Sequence, residues 1–226
     1  IVPKVRGREK SVSPDILLQQ VSQRIQEGFK EVVLTGTQLG SYGFDLMGQN
    51  LRALIEKILS DSRVPRLRIS SLQPQEISST LLDLWSDSRL CPHFHMPLQS
   101  GSDNVLKNMR RRYTSELYRL TVERIRAKIP DVSITTDVIV GFPGETDQDF
   151  QNTLDLCRDL KFTNMHVFPY SVRVGTSAAY AKNQVSETDK ANRMEVMLAL
   201  DSEMASYSRQ KAIGSDRSVL WEYERK

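Results

Sequence analysis

Few residues in this chain do chemistry unaided, and their spacing limits what they can do. Cys91, His93 and His95 stand at alternate positions, so in a strand all three face one side. The pattern suggests metal ligation. Catalytic zinc, however, takes three protein ligands and structural zinc four, and the sequence offers no nearby carboxylate to complete a set. Two strand histidines that pack or hydrogen-bond are the reading the residues favour. His166 falls in another apolar stretch and reads as a satisfied core or rim residue, and no Ser–His–Asp order is identifiable. The acid pairs Asp147/Asp149 and Asp155/Asp159 read as solvated helix surface. Arg110, Arg111 and Arg112 can grip a carboxylate or phosphate, with charge-assisted bonds worth about 1.5–3 kcal/mol each when shielded. Adjacent positions on a helix or turn point different ways, so one or two of the three serve one ligand.

Glycine-rich breaks supply the rest of the candidate chemistry. Gly36-Thr37-Gln38-Leu39-Gly40-Ser41-Tyr42-Gly43 lets backbone groups approach a ligand, or makes a tight strand-to-helix turn; the residues alone allow either. It is not a GxGxxG fingerprint with its acid in place. In Gly141-Phe142-Pro143-Gly144-Glu145 the following helix opens with acids, which repel phosphate and favour a neutral or zwitterionic ligand. A third break, Gln99-Ser100-Gly101-Ser102, ends the His93 strand, and Ser102 caps a short helix carrying Asp103 and Asn104.

The elements that must position these groups alternate between strand and helix. Ser13-Pro14 opens a helix that Gly28 closes, and Glu31–Thr35 is a buried strand. A helix over Gln49–Leu59 leads to a strand over Arg66–Ser71 and a short helix over Ser78–Trp85. After the His93 strand, a helix runs from Thr114 to Lys128 with Tyr118, Val122, Ile125 and Ile129 as its apolar stripe. Val132–Val140 is the longest strand signal, and Thr146 with Asp149 caps a helix burying Phe150, Leu154, Cys157 and Leu160. Asn164–Phe168 follows as a strand. A long helix from Ser186 to about Ile213 carries Met194, Met197, Leu200, Met204 and Tyr207, and Val219, Trp221 and Tyr223 alternate as the start of a new strand. Five such units predict an α/β fold, a partial (β/α) barrel of parallel strands with helices outside and ligands at the strands' C-terminal ends.

With 226 residues and 39% hydrophobic content the chain can bury one sizeable core, and its net charge is only +3. Residues 102–128 hold eight basic against three acidic residues, while 145–159 hold five acids and one Arg. That asymmetry suits a phosphate-rich partner, or two solvated helices of opposite sign. Two isolated cysteines exclude a disulfide framework and fit a reducing compartment. No apolar run reaches the roughly 18 residues of a membrane span.

Six segments, in order, resemble the radical-SAM tRNA methylthiotransferases: IVPKVRGRE, EVVLTGTQLGSYG, LRISSLQPQEI, CPHFHMPLQSGSDNVLKNMRRRYT, ITTDVIVGFPGETDQDF and HVFPYSVRVGTSAA. The similarity covers Ile1 to about Ala181 and continues loosely beyond. LTGTQLGSYG, CPHFHMPLQSG and MHVFPYS look most like the threonylcarbamoyladenosine (MtaB-like) branch, with the isopentenyladenosine branch as alternative. The resemblance implies a radical-SAM core over residues 1–213 and the start of a small C-terminal β domain (TRAM-like) over 214–226. It implies S-adenosylmethionine held against a four-iron four-sulfur cluster whose CxxxCxxC ligands, with the first strand, would lie ahead of Ile1. Gly36 and Thr37 would meet the methionyl amino group, Gln99 and Ser100 would lie near the ribose, and Arg110 or Arg112 would take the carboxylate. Val140, Gly141 and the Phe168–Tyr170 backbone would line the adenine. The implied reaction attaches a methylthio group to carbon 2 of an adenosine in a tRNA anticodon stem-loop, in the cytoplasm. By itself the chain is expected to be inactive. A competing expectation is a non-catalytic module that binds RNA or protein through its basic 102–128 face.

Overall fold

A computed structural model describes residues 7–221. Local signals start each element. Ser13 accepts the Ile16 N–H and Pro14 occupies the first turn of α1 (Pro14–Gln26). Asn50 caps α2 (Leu51–Asp61) by accepting from the Ala53 N–H at 2.9 Å. That helix begins two residues later than the hydrophobic pattern suggests, because Asn50 takes the cap position. The short helix expected over Ser78–Trp85 is α3 (Ser79–Leu82), continued by a tighter turn over Asp83–Ser86. α4 (Asp103–Asn108) follows the Ser102 cap, and α5 (Ser115–Lys128) the Thr114 cap. α6 (Asp147–Leu160) opens on the Thr146/Asp149 reciprocal cap, and α7 (Glu187–Ala212) on Ser186.

Five short strands, β1 (Val32–Leu34), β2 (Leu67–Ile69), β3 (His93–His95), β4 (Ser133–Val140) and β5 (Asn164–Pro169), lie in sequence order, and every pairing is parallel. β1 pairs with β2, and β3–β4–β5 form a second ladder. The two pieces are stitched by Leu67 N–H to Arg89 carbonyl (2.8 Å), Cys91 N–H to Leu67 carbonyl (2.9 Å) and Leu72 N–H to His95 carbonyl (3.1 Å). Helices cover the convex side, giving a partial (β/α) barrel wall. Parallel strands need crossovers long enough to hold a helix, which is why each strand signal is followed by a helical one.

β4 shows how the wall works. Ile134, Thr136, Val138 and Val140 are buried under the helices, while Ser133, Thr135, Asp137 and Ile139 alternate onto the other, concave face. Tyr118 of α5 donates its hydroxyl proton to the Met96 carbonyl at 2.5 Å and lies 3.2 Å from Thr136 Oγ1. The stripe Tyr118, Val122, Ile125 and Ile129 is buried as the spacing predicts. Along α7, Met197, Leu200 and Met204 are buried, but Tyr207 is half exposed because the helix outruns the sheet; its ring lies 5.5 Å from Lys161 Nζ. Residues 215–221 form neither helix nor strand, with Val219 and Trp221 exposed; Tyr223 and residues 1–6 lie outside the described residues. No helix among the described residues is long and apolar enough to cross a membrane.

Candidate functional site

The residues singled out from the sequence lie at one end of the wall, where parallel strands expose their C-terminal ends. They divide between two cavities and a scaffold. Gly36 and Thr37, just after β1, line a cavity of about 570 Å³ together with Lys10 and Ser11 of the leading segment. That segment is strapped down. Ser11 Oγ accepts from the Gly43 N–H at 2.9 Å, and the Tyr42 hydroxyl donates to the Val12 carbonyl at 2.7 Å. A second cavity, about 860 Å³, is lined by Arg110, Arg111, Ile139, Phe142, Phe168 and Tyr170 among others. Phe142 meets Tyr170 edge-on at 5.3 Å.

Gln99, Ser100, Val140 and Gly141 line neither cavity; they build the scaffold. Gln99, at φ +66°, is bonded through its own N–H and carbonyl to Asp137 and Ile139. Ser100 is fully buried, with its Oγ 3.2 Å from Thr153 Oγ1 of α6. The Val140 side chain faces the helices, and its carbonyl accepts from the Tyr170 N–H at 2.8 Å. Gly141, at φ +73°, donates its N–H to Glu145 Oε1, and a Cβ there would meet Lys190 Cγ at 2.4 Å.

Of the arginines, Arg112 is exposed and lines neither cavity. Arg110, at φ +58°, donates to Ser177 Oγ at 3.4 Å, and both it and Arg111 line the second cavity. There the Arg111 Nε is buried without a partner, as is the Tyr170 hydroxyl. Two orphaned polar atoms beside aromatic rings fit a zwitterionic nucleoside with a carboxylate, since a buried donor gains most from a charged acceptor. Arg111 is one of the three arginines the sequence offers, but not one of the two to which the resemblance gives the carboxylate.

On the concave face His93 and His95 are hydrogen-bonded, as their strand positions suggest, but the other two parts of the pattern need correcting. Cys91 does not join them; it is buried 3.8 Å from Glu31 Oε2. The carboxylate missing from the neighbouring sequence comes from β4. Asp137 Oδ2 lies 3.2 Å from His95 Nε2, and Asp137 Oδ1 lies 3.2 Å from His166 Nδ1. One donor atom from each of His95, Asp137 and His166 falls within 4.8 Å of the other two. His166 is therefore an exposed residue of the concave face, not a core one. Burial alone would raise the Asp137 carboxyl; the two imidazoles outweigh it and hold it below the usual range.

His93 is pushed down to about 4 by burial, helped by the nearby Arg68. The unfolded chain then binds a proton between pH 6.5 and about 4 that the folded chain refuses, so stability rises with pH across that window. With solvent screening at a partly exposed ring, about 1–2 kcal/mol is lost on acidification. Urea midpoints should therefore fall more between pH 7 and 4.5 for the native chain than for His93→Asn. Equal falls would show that the ring carries no such load.

The acids after Gly144 are also not simple helix surface. Asp149 is buried, accepts from the Ser102 hydroxyl at 2.5 Å and completes the α6 cap. Asp147 is exposed but pairs with Arg193 at 2.8 Å. The iron ligands of the implied cluster do not fit the cysteines present. Both are buried and stand alone in the sequence, outside the CxxxCxxC pattern the resemblance implies, and burial pushes the Cys91 thiol up and the Cys157 thiol up to about 12.

The Radical SAM superfamily profile matches residues 1–157. Over 100% of this chain, the tRNA-2-methylthio-N(6)-dimethylallyladenosine synthase of Pelotomaculum thermopropionicum is 39% identical, with 51% of its own length covered. The threonylcarbamoyladenosine tRNA methylthiotransferase MtaB of Bacillus subtilis is 39% identical over 91% of this chain and 46% of its own. The chain thus spans about half the length of the curated relatives it matches. Among solved structures, coproporphyrinogen III oxidase (HemN) from Escherichia coli shares the fold at a TM-score of 0.61 and 18% identity, over 84% of this chain and 46% of that one. Parallel strands with helices on their convex side, a rim cavity with an unpartnered arginine and tyrosine, and a profile match over most of the sequence agree: this chain belongs to the radical SAM superfamily, whose cofactors are S-adenosylmethionine and four-iron four-sulfur clusters.

Proposed function

We propose that this chain is the S-adenosylmethionine-binding core of a tRNA methylthiotransferase, acting on carbon 2 of an N6-threonylcarbamoyladenosine in the anticodon stem-loop. The observation that carries the tRNA methylthiotransferase reading is identity of 39–42% over 91–100% of the chain to relatives named for methylthio modification of a tRNA adenosine, of the dimethylallyl kind in two and the threonylcarbamoyl kind in one. Most of these relatives are of the dimethylallyl kind, and the threonylcarbamoyl kind matches at similar identity. The choice of the second rests on the segments LTGTQLGSYG, CPHFHMPLQSG and MHVFPYS.

An aromatic C–H is too weakly acidic for a positioned base, whose help is worth only about 10²–10⁴-fold. Bound S-adenosylmethionine with its cluster supplies one-electron chemistry able to open such a bond. This chain's residues bind and orient. Arg111 Nε would take the cofactor's carboxylate, with Tyr170 and Phe142 enclosing it. Gly141 would hold the turn behind the cavity, packed against Lys190 and bonded to Glu145. Lys107, Arg110 and Arg112 stay exposed beside that rim, where they would meet RNA phosphates. The chain's own two cysteines, each alone in the sequence and buried, do not supply the cluster's ligands.

The test is mass spectrometry of tRNA nucleosides from cells with and without the gene encoding this chain. The expected outcome is loss of methylthio-threonylcarbamoyladenosine, with its unthiolated precursor accumulating. Loss of the isopentenyl product instead would overturn the substrate. An unchanged profile would overturn the activity and favour a binding module.

A further inference from the structure

All three histidines of the chain lie on the concave face, and one orphaned atom orders their protons. His93 Nδ1 is buried without a partner. A buried N–H left unpaired is rarer and costlier than an unpaired acceptor, so the His93 proton sits on Nε2. From there it donates to Thr135 Oγ1 at 3.2 Å. The Thr135 hydroxyl then donates to His95 Nδ1 at 3.0 Å, which leaves the His95 proton on Nε2 and directed to Asp137 Oδ2 at 3.2 Å. The other Asp137 oxygen takes the His166 Nδ1–H at 3.2 Å. His166 Nε2 is then a bare acceptor on the open face, held in orientation by a carboxylate behind it.

We infer that His166 is a substrate-positioning residue whose Nε2 accepts a hydrogen bond from the exocyclic N6–H of an adenine ring seated on the concave face. The inference rests on the function proposed above. His166 lies three residues before the end of β5, so it sits about 10 Å below the rim where the cofactor cavity opens. Phe168, two residues on and on the same face, is half exposed and offers a ring for a planar base to stack on. The ladder pairs Asp137 directly with His166, so the dyad is fixed by strand register and does not depend on a loop. An N6-substituted adenosine keeps one N–H, and that donor is what a bare imidazole nitrogen selects. The adenine of S-adenosylmethionine carries the same donor, but the cavity suited to it lies nearer the rim.

The tautomers can be read directly by long-range ¹H–¹⁵N spectroscopy of the full chain at neutral pH. His166 is expected as the Nδ1–H form, the minority form of free imidazole, with His93 and His95 as Nε2–H. Millimolar N6-threonylcarbamoyladenosine should shift the His166 Nε2 resonance by several ppm, and N6,N6-dimethyladenosine, which has no N6–H, should not. Asp137→Asn should return His166 to the free-imidazole mixture. An Nε2–H form of His166 overturns the inference, as do equal responses to both nucleosides or none to either. A response to S-adenosylmethionine alone assigns the acceptor to the cofactor and also overturns it. One equivalent of zinc moving all three donor groups together would assign the cluster to a cation. An unchanged tRNA profile on gene deletion defeats the proposed function yet leaves the tautomers measurable, so the two can fail separately.

Discussion

Glu145→Ala should lower the unfolding free energy by about 3–5 kcal/mol, because it strands a buried cation. Arg193 of α7 is nine-tenths buried and gives Nη1 to Glu145 Oε1 at 2.7 Å; the same oxygen takes the Gly141 N–H at 2.8 Å. The Arg193 guanidinium also lies 5.6 Å from the Phe150 ring centre. With the carboxylate gone, Arg193 would keep only the fully exposed Asp147 as a charged partner and the residue-145 backbone carbonyl at 3.3 Å, and the Gly141 N–H would lose its acceptor. Burial raises the Glu145 carboxyl despite the Gly141 and Arg193 contacts that pull it down. The folded chain thus holds that proton to higher pH than the unfolded one, and stability from this group falls as pH rises through the ordinary glutamate range. A charged pair kept at net cost still penalises losing one member. The double replacement Glu145→Leu with Arg193→Met should accordingly cost much less than the sum of the single ones. Urea denaturation of Glu145→Ala, the two single replacements and their double decides it; a loss below about 1 kcal/mol for Glu145→Ala would mean α7 does not depend on the pair.

Tyr118→Ala should cost a similar amount, about 3–5 kcal/mol, through the cavity it leaves. The ring is completely buried between α5 and β4, edge-on to Phe162 at 6.1 Å, and burial keeps its hydroxyl protonated by raising it well above the usual range. Tyr118→Phe should cost only about 1 kcal/mol. The Met96 carbonyl would keep its bond from Thr136 Oγ1 at 2.8 Å. Thermal or urea unfolding separates the two variants. Equal losses would show that the hydroxyl, not the volume, carries the position.

What could be read from the sequence was what short range decides. Thr146 and Asp149 cap each other across three residues, and Ser102 caps its own helix, so local spacing suffices to find both. The alternation of Val132–Val140 announces a strand with two faces, and the wall's parallel order follows from the helices between strands. What failed depends on distant partners or on one backbone angle. Asp137 lies 42 residues from His95, so no local pattern joins them. Arg110 lines the cavity as one of the two arginines the resemblance names, but Arg111 joins it and Arg112 does not, at a turn where Arg110 adopts a left-handed conformation that no arginine advertises. The rim residues do share one end of the strands, but they serve two cavities and a scaffold where one pocket was expected.

The residue-by-residue alternation of β4 also bears on how such a protein can change. Positions 134, 136, 138 and 140 answer to the helices, and 133, 135, 137 and 139 to whatever the barrel receives. Because the two sets interleave without sharing side chains, replacements in one leave the other largely untouched. A lineage could retune its reactivity along this segment while its folding stays as it was.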